Sequence, residues 1–146
     1  MLEVMSEKES ELLSALVSSL EDMPELIEEL DDEMRAAAMS LRVDYSQETF
    51  SNLTAILEGL KNLINYVEEV KYGVGHLVER GLALNATNLD CWEEHEDLFE
   101  ELLNYFEVQD WVGVADLMEY ELIPLLEKGK EAFVLLRESI RNVHPV

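Results

Sequence analysis

Apolar residues recur along this chain at spacings of three and four, the period of one helix face. The longest run spans Asp110 to Arg141. In it Trp111, Val114, Ala115, Met118, Leu122, Leu125, Ala132, Phe133, Leu136 and Ile140 form one seam. Asp110 stands as its N-cap. Pro124 removes the bond to the Tyr120 carbonyl and crowds it, which predicts a kink between these two residues. A stripe this long must be covered by the rest of the chain.

Upstream, Ser6 and Glu9 stand at capping-box spacing and open a first helix whose face is Leu12, Leu13, Leu16, Val17 and Leu20. Asp22 and Glu25 repeat that spacing around Pro24, so a new helix is expected to start near residue 23, with the face Leu26, Ile27, Leu30, Met34, Ala37, Ala38 and Leu41. The alternative is one long helix kinked at Pro24. Asp44 and Gln47 stand at cap spacing before the next helix. Its seam is Phe50, Leu53, Leu57, Leu60, Ile64 and Val67, widened by Ile56, Leu63 and Val70. Gly73 and Gly75 weaken that helix. It either stops near Tyr72 or runs to Arg80 with Gly81 as its C-terminal cap, and the helical pattern of His76-Leu77-Val78 favours the longer version. Thr87 or Asn88 caps a further helix with the seam Leu89, Trp92, His95, Phe99, Leu102, Leu103 and Phe106. The tight turn Val108-Gln109-Asp110 then pairs it with the last helix as an antiparallel hairpin. The strings at 63–68 and 102–107 echo one another weakly, as amphipathic helices often do. The expectation is all-α: an antiparallel bundle of four to five helices, with proline kinks or breaks near Pro24 and Pro124, forming one domain over residues 1–146.

Composition narrows the function. With 48% hydrophobic residues, disorder is not expected. No secretory pattern opens the chain and no apolar run approaches the ~20 residues that span a bilayer, so a cytoplasmic location is expected. The single Cys91 fits a reducing compartment, and without an export signal the two glycosylation sequons at Asn52 and Asn85 carry no weight. A net charge of −23 argues against nucleic acid and against anionic membranes as partners. Residues 21–33 and 90–107 each hold eight acids and no Lys or Arg. Such faces keep a small protein in solution, and they also steer a basic partner.

Reactive chemistry is not in evidence. Bundle di-iron sites need Glu-x-x-His pairs, but the residues three before His76, His95 and His144 are Gly73, Trp92 and Arg141. No calcium loop, zinc-protease helix motif, glycine-rich phosphate loop or nucleophile elbow is present. Neither a metal, a cofactor nor a catalytic residue is therefore expected. His95, between Trp92 and Phe99, reads as a hydrogen-bonded, partly buried imidazole. Cys91 reads as structural, its acidic neighbours opposing a lowered thiol pKa. Two features look outward. On a straight last helix Val112, Tyr120, Ile123 and Val134 fall opposite the main seam, because that helix packs on both sides, because the Pro124 kink rotates its second half, or as a strip for a second copy or a partner helix. Trp92, His95 and Trp111 frame a candidate pocket between the last two helices.

The string from Gln109 to Leu126, QDWVGVADLMEYELIPLL, resembles a signature in small uncharacterised acidic helical proteins of Gram-positive bacteria, to which Leu57-Glu58-Gly59-Leu60 also belongs. That resemblance brings no activity with it. By size, acidity and long helices alone, the chain also resembles flagellar and type III export chaperones, which are non-enzymatic and hold an aggregation-prone partner by wrapping or helix exchange. The function expected is non-catalytic protein binding through an apolar helix strip and an acidic surface, with a partner that is basic or amphipathic, or a homodimer. The alternative is a small-ligand or regulatory domain with a pocket between the last two helices.

Overall fold

Ser6 accepts the Glu9 amide at 3.2 Å, and the chain then stays helical for 37 residues. In the computed structural model, which describes residues 6–43, 46–84 and 87–143, this helix, α1, spans Glu7–Val43. The Ser6 hydroxyl in turn donates to the Glu9 carboxylate at 3.1 Å, so the cap closes through side chains. The break expected near residue 23 does not occur, and the single long helix is the outcome: Pro24 lies inside α1. Its ring removes the bond to the Leu20 carbonyl, at a cost of about 3 kcal/mol. Leu20, Met23, Ile27 and Leu30 nevertheless continue one buried stripe across it. Each contributes about 2 kcal/mol by leaving water, so continuing the stripe outweighs breaking the helix.

Ser46 caps α2 (Gln47–Glu79) by accepting the Thr49 amide at 3.3 Å; the expected cap at Asp44 lies outside the described residues. Leu53, Ile56, Leu60, Leu63, Val67, Val70, Val74 and Leu77 make its buried seam, alternating three and four without interruption. Phe50, Leu57 and Ile64, expected at the centre of that seam, flank it and are partly buried. The helix runs through Gly73 and Gly75 and takes the longer of its two expected forms. The Leu82 amide donates to the Leu77 carbonyl at 3.1 Å and the Gly81 amide to the Val78 carbonyl at 3.0 Å. Gly81 holds φ at +100°, which is the Schellman closure.

The next element starts as a 3-10 helix, Thr87–Glu94, and becomes α-helical only in α3, His95–Glu107. The caps expected at Thr87 or Asn88 lie outside the side chains described. At three residues per turn Leu89 and Trp92 eclipse one another, and both are buried. The change of pitch rotates the following face. Leu98 and Leu102 are buried, while Leu103, expected in the seam, is 57% exposed.

The turn into α4 (Trp111–Leu117) repeats the Schellman closure: the Asp110 amide donates to the Tyr105 carbonyl at 2.9 Å and the Gln109 amide to the Phe106 carbonyl at 3.1 Å. Asp110 then accepts the Gly113 amide at 2.9 Å, as expected of the cap. Gln109 sits at φ 56°, where a side chain is strained. Gln109→Gly is therefore expected to raise stability by about 0.5–1 kcal/mol. An unchanged or lower urea midpoint would show that the turn is not strained.

A π turn, Met118–Leu122, joins α4 to α5 (Ile123–Val143), with the Ile123 amide on the Met118 carbonyl. It falls where the Pro124 kink was expected. Widening this turn moves the Tyr120 carbonyl away from the proline ring.

The helices pack antiparallel around α1. Along its length Glu9 meets Arg80, Leu16 lies beside Gly73, Ser19 bonds Tyr66, and Leu30 lies beside Gly59, so α2 runs back along α1. On another side Glu21 pairs with Arg141, Glu28 with Lys130, Arg35 with Glu127 and Arg42 with Asp116, so α4 and α5 also run back. Exposed pairs of this kind contribute little, being screened by solvent; the buried seams carry the stability. The 3-10 helix closes the bundle between α2 and α5, where Trp92, Phe133 and Tyr66 stack in sequence.

Candidate functional site

The four residues of the outward strip do not form one surface. Val112 and Tyr120 are 55% and 66% exposed, Val134 is half-buried, and Ile123 is only 2% exposed. The reason is the π turn. An i→i+5 turn adds a residue to the helix and rotates everything after it, which turns Ile123 into the core. Val112 and Tyr120 border a cleft with Tyr105 and Glu101, whereas Val134 borders a different one with Ile27 and Lys130.

Nor do Trp92, His95 and Trp111 frame one pocket. Trp92 is buried against Gly129 and Phe133 in the core. Trp111 sits elsewhere, edge-on to Phe50 at 4.9 Å and to Phe106 at 5.5 Å. His95 is half-buried, edge-on to Phe99. Its Nδ1 donates to the Trp92 carbonyl, which fixes the tautomer because a carbonyl can only accept. The His95 and Trp92 side chains thus pack and brace the junction between the 3-10 helix and α3.

Burial pushes the Cys91 thiol above its ordinary pKa, with Glu94 and Asp90 adding to the effect and Lys128 opposing it. A thiol held in this way is a poor nucleophile at neutral pH. Alkylation of the folded chain by iodoacetamide at pH 7.5 should run at least about tenfold slower than that of glutathione; equal or faster alkylation would show an activated cysteine. Among the described residues, no three His, Cys, Asp or Glu side chains cluster as metal ligands. None of the described helices is long and apolar enough to cross a membrane.

The surface feature that sequence reasoning missed lies on the α1–α2 hairpin. Three adjoining clefts run along it, joined by shared residues: Glu33 lines the first and second, and Ser40, Thr49 and Asn52 line the second and third. Together they follow α1 from Met23 to Val43, about 30 Å at helical rise. The first section encloses about 320 Å³ over Ile27, Leu30, Leu63 and Tyr66. Further along, the small side chains of Ala36, Ala37 and Ala55 line the groove. Leu26, Met39 and Val43 stand on the groove at 51%, 70% and 82% exposure. Leu26 was expected in the buried face of α1 and is instead part of this lip. Burial also raises the Tyr66 phenol pKa at the deep end, although its contact with the Ser19 hydroxyl at 2.6 Å works against the shift.

The charge along the groove has one sign. Its lining includes Glu29, Glu33 and Glu48 and no Lys or Arg. The paired cations along α1 lie elsewhere: its own Arg35 and Arg42 reach Glu127 and Asp116, Lys130 and Arg141 of α5 reach Glu28 and Glu21, and Arg80 at the far end of α2 reaches Glu9. The signal in the sequence was a conflict between facing surfaces. The small residues of α1 and α2 cannot fill the space between them, and Leu26 and Met39 lie off the buried stripe.

A family model described as Domain of unknown function (DUF8042) matches residues 18–132, which include the whole groove and the Trp92–Gly129 contact. No curated protein and no solved structure matches the chain.

Proposed function

The chain belongs to the DUF8042 family, whose description carries no activity, and from the geometry of this member we propose a non-catalytic protein-binding module of the adaptor or export-chaperone kind. The observation that carries the reading is the open groove on α1 and α2, with Leu26, Met39 and Val43 exposed along it. Large apolar side chains collected on one concave surface mark an interaction site. The groove takes the role that the sequence assigned to a strip on the last helix. The net charge of −23 supports a partner that is not nucleic acid.

A second reading, a small-ligand or regulatory domain, has one observation in its favour. The section of about 320 Å³ between Ile27 and Tyr66 is mostly apolar and reaches the size of small-molecule sites. Native mass measurement of the chain purified from its source separates the two. The protein-binding reading expects a stoichiometric protein that is lost when Leu26→Glu and Met39→Glu are introduced together. A persistent small-molecule adduct, with no protein retained, would replace it by the second reading.

A further inference from the structure

We infer that the occupant of the α1–α2 groove is a single amphipathic helix of about 20 residues whose flanks are rich in Lys and Arg; this rests on the protein-binding reading above. Three features of the groove select that chemistry. The first is length. A site that follows α1 from Met23 to Val43 matches a helix of equal residue count lying alongside it.

The second is the nature of the walls. The groove lies between two helices and offers side chains rather than a sheet edge. An extended segment laid in it would find hydrogen-bonding side chains only at scattered points such as Asn62, Ser40, Thr49 and Asn52, and Ala, Leu and Ile between them, whereas a helix satisfies its backbone internally. Ala36, Ala37 and Ala55, being small, let a third helix approach to the ordinary packing distance, and Ile27, Leu30 and Leu63 give it a floor. An apolar face at i, i+3, i+4 and i+7 would meet Leu26 and Met39 at the lip.

The third is charge. Glu29, Glu33 and Glu48 line the groove with no Lys or Arg among its lining residues, while α1's own Arg35 and Arg42 and the Lys130 and Arg141 of α5 pair across the α4–α5 side and Arg80 pairs at the far end of α2. Cationic flanks would complete this rim and be steered to it. A second copy of the chain fits poorly, because it would bring its own share of a net −23 against the same carboxylates.

Three synthetic 20-residue helices that share one leucine face and carry Lys, Gln or Glu on their flanks test the inference. Each is titrated into the full chain and followed by fluorescence anisotropy. The Lys helix should bind about tenfold or more tighter than the Gln helix, the Glu helix weakest, and the advantage should shrink as salt rises. Exchanging all three carboxylates (Glu29→Lys, Glu33→Lys, Glu48→Lys) should invert the order. Leu26→Glu with Met39→Glu should abolish binding of the Gln and Lys helices; these five positions are exposed, so the far-UV signal should not change. Equal binding of the Lys and Gln helices, still lost on the leucine and methionine substitutions, overturns the basic partner and leaves the groove as a protein site. Binding that is absent for all three, or indifferent to Leu26 and Met39, overturns both.

Discussion

Replacing Gly129 by alanine is expected to destabilise the chain by about 2–3 kcal/mol. At an unconstrained helical position the same change stabilises by up to ~1 kcal/mol, so the sign alone is informative. A Cβ at Gly129 would stand 1.8 Å from Cζ2 of Trp92, 2.4 Å from Cε2 and 2.5 Å from Cη2. These are atoms of a rigid ring, which cannot bend aside and can only withdraw whole. Withdrawal is blocked: Trp92 is 1% exposed and packs on Phe133 at 5.6 Å, and Phe133 packs on Tyr66 at 5.7 Å. The fit of the indole is set by the shape of the notch at Gly129 and the face of Phe133. The control is Gly75→Ala, where no atom lies within 4 Å of the added methyl, and a small gain is expected. Urea midpoints measure both. A gain at Gly129 matching that at Gly75 would mean that the 3-10 helix does not pack on α5 through this notch.

Pro24→Ala is expected to stabilise by about 2 kcal/mol. The ring sits inside a continuous α1 and costs about 3 kcal/mol there, of which roughly 0.4–1 is returned because proline also restricts the unfolded chain. Alanine would restore the donor to the Leu20 carbonyl without disturbing Met23 or Ile27. Pro124→Ala should gain less, because the Met118–Leu122 π turn already accommodates that proline. Thermal and urea unfolding of the two variants make the comparison. A loss of stability at Pro24 would mean that the proline starts a helix there and that α1 is two helices.

The bundle was legible wherever one local rule decided the outcome. Asp110 and Gly81 end or begin helices through backbone groups a few residues away, and both stand where the chain chemistry put them. Val114, Ala115, Met118, Leu122, Leu125, Ala132, Phe133, Leu136 and Ile140 of the expected seam are buried, and Leu117, Ile123 and Leu126 join them. What could not be read depended on competition between distant surfaces. Pro24 breaks a helix by its own chemistry, and only the partners of Leu20 and Ile27 decide that it does not. Trp92, within the 3-10 stretch, packs into the notch at Gly129, 37 positions away, a contact that no local pattern announces. Ile123 was placed by projecting a straight helix, and one extra residue in the π turn moved it from outside to inside. The groove was hidden because it is a property of two helices at once. Ala36 and Ala55 look like ordinary helix formers until the two helices place them along the same cleft.

Backbone amide shifts of the full chain, followed by NMR during titration with the lysine-flanked helix, test most directly where this protein takes hold of another. Perturbations concentrated at Leu26, Glu33, Met39, Thr49, Asn52 and Gly59, on both helices of the hairpin, are the predicted result. Shifts centred on Val112 and Tyr120, or spread evenly over the acidic stretch at 90–107, would contradict it.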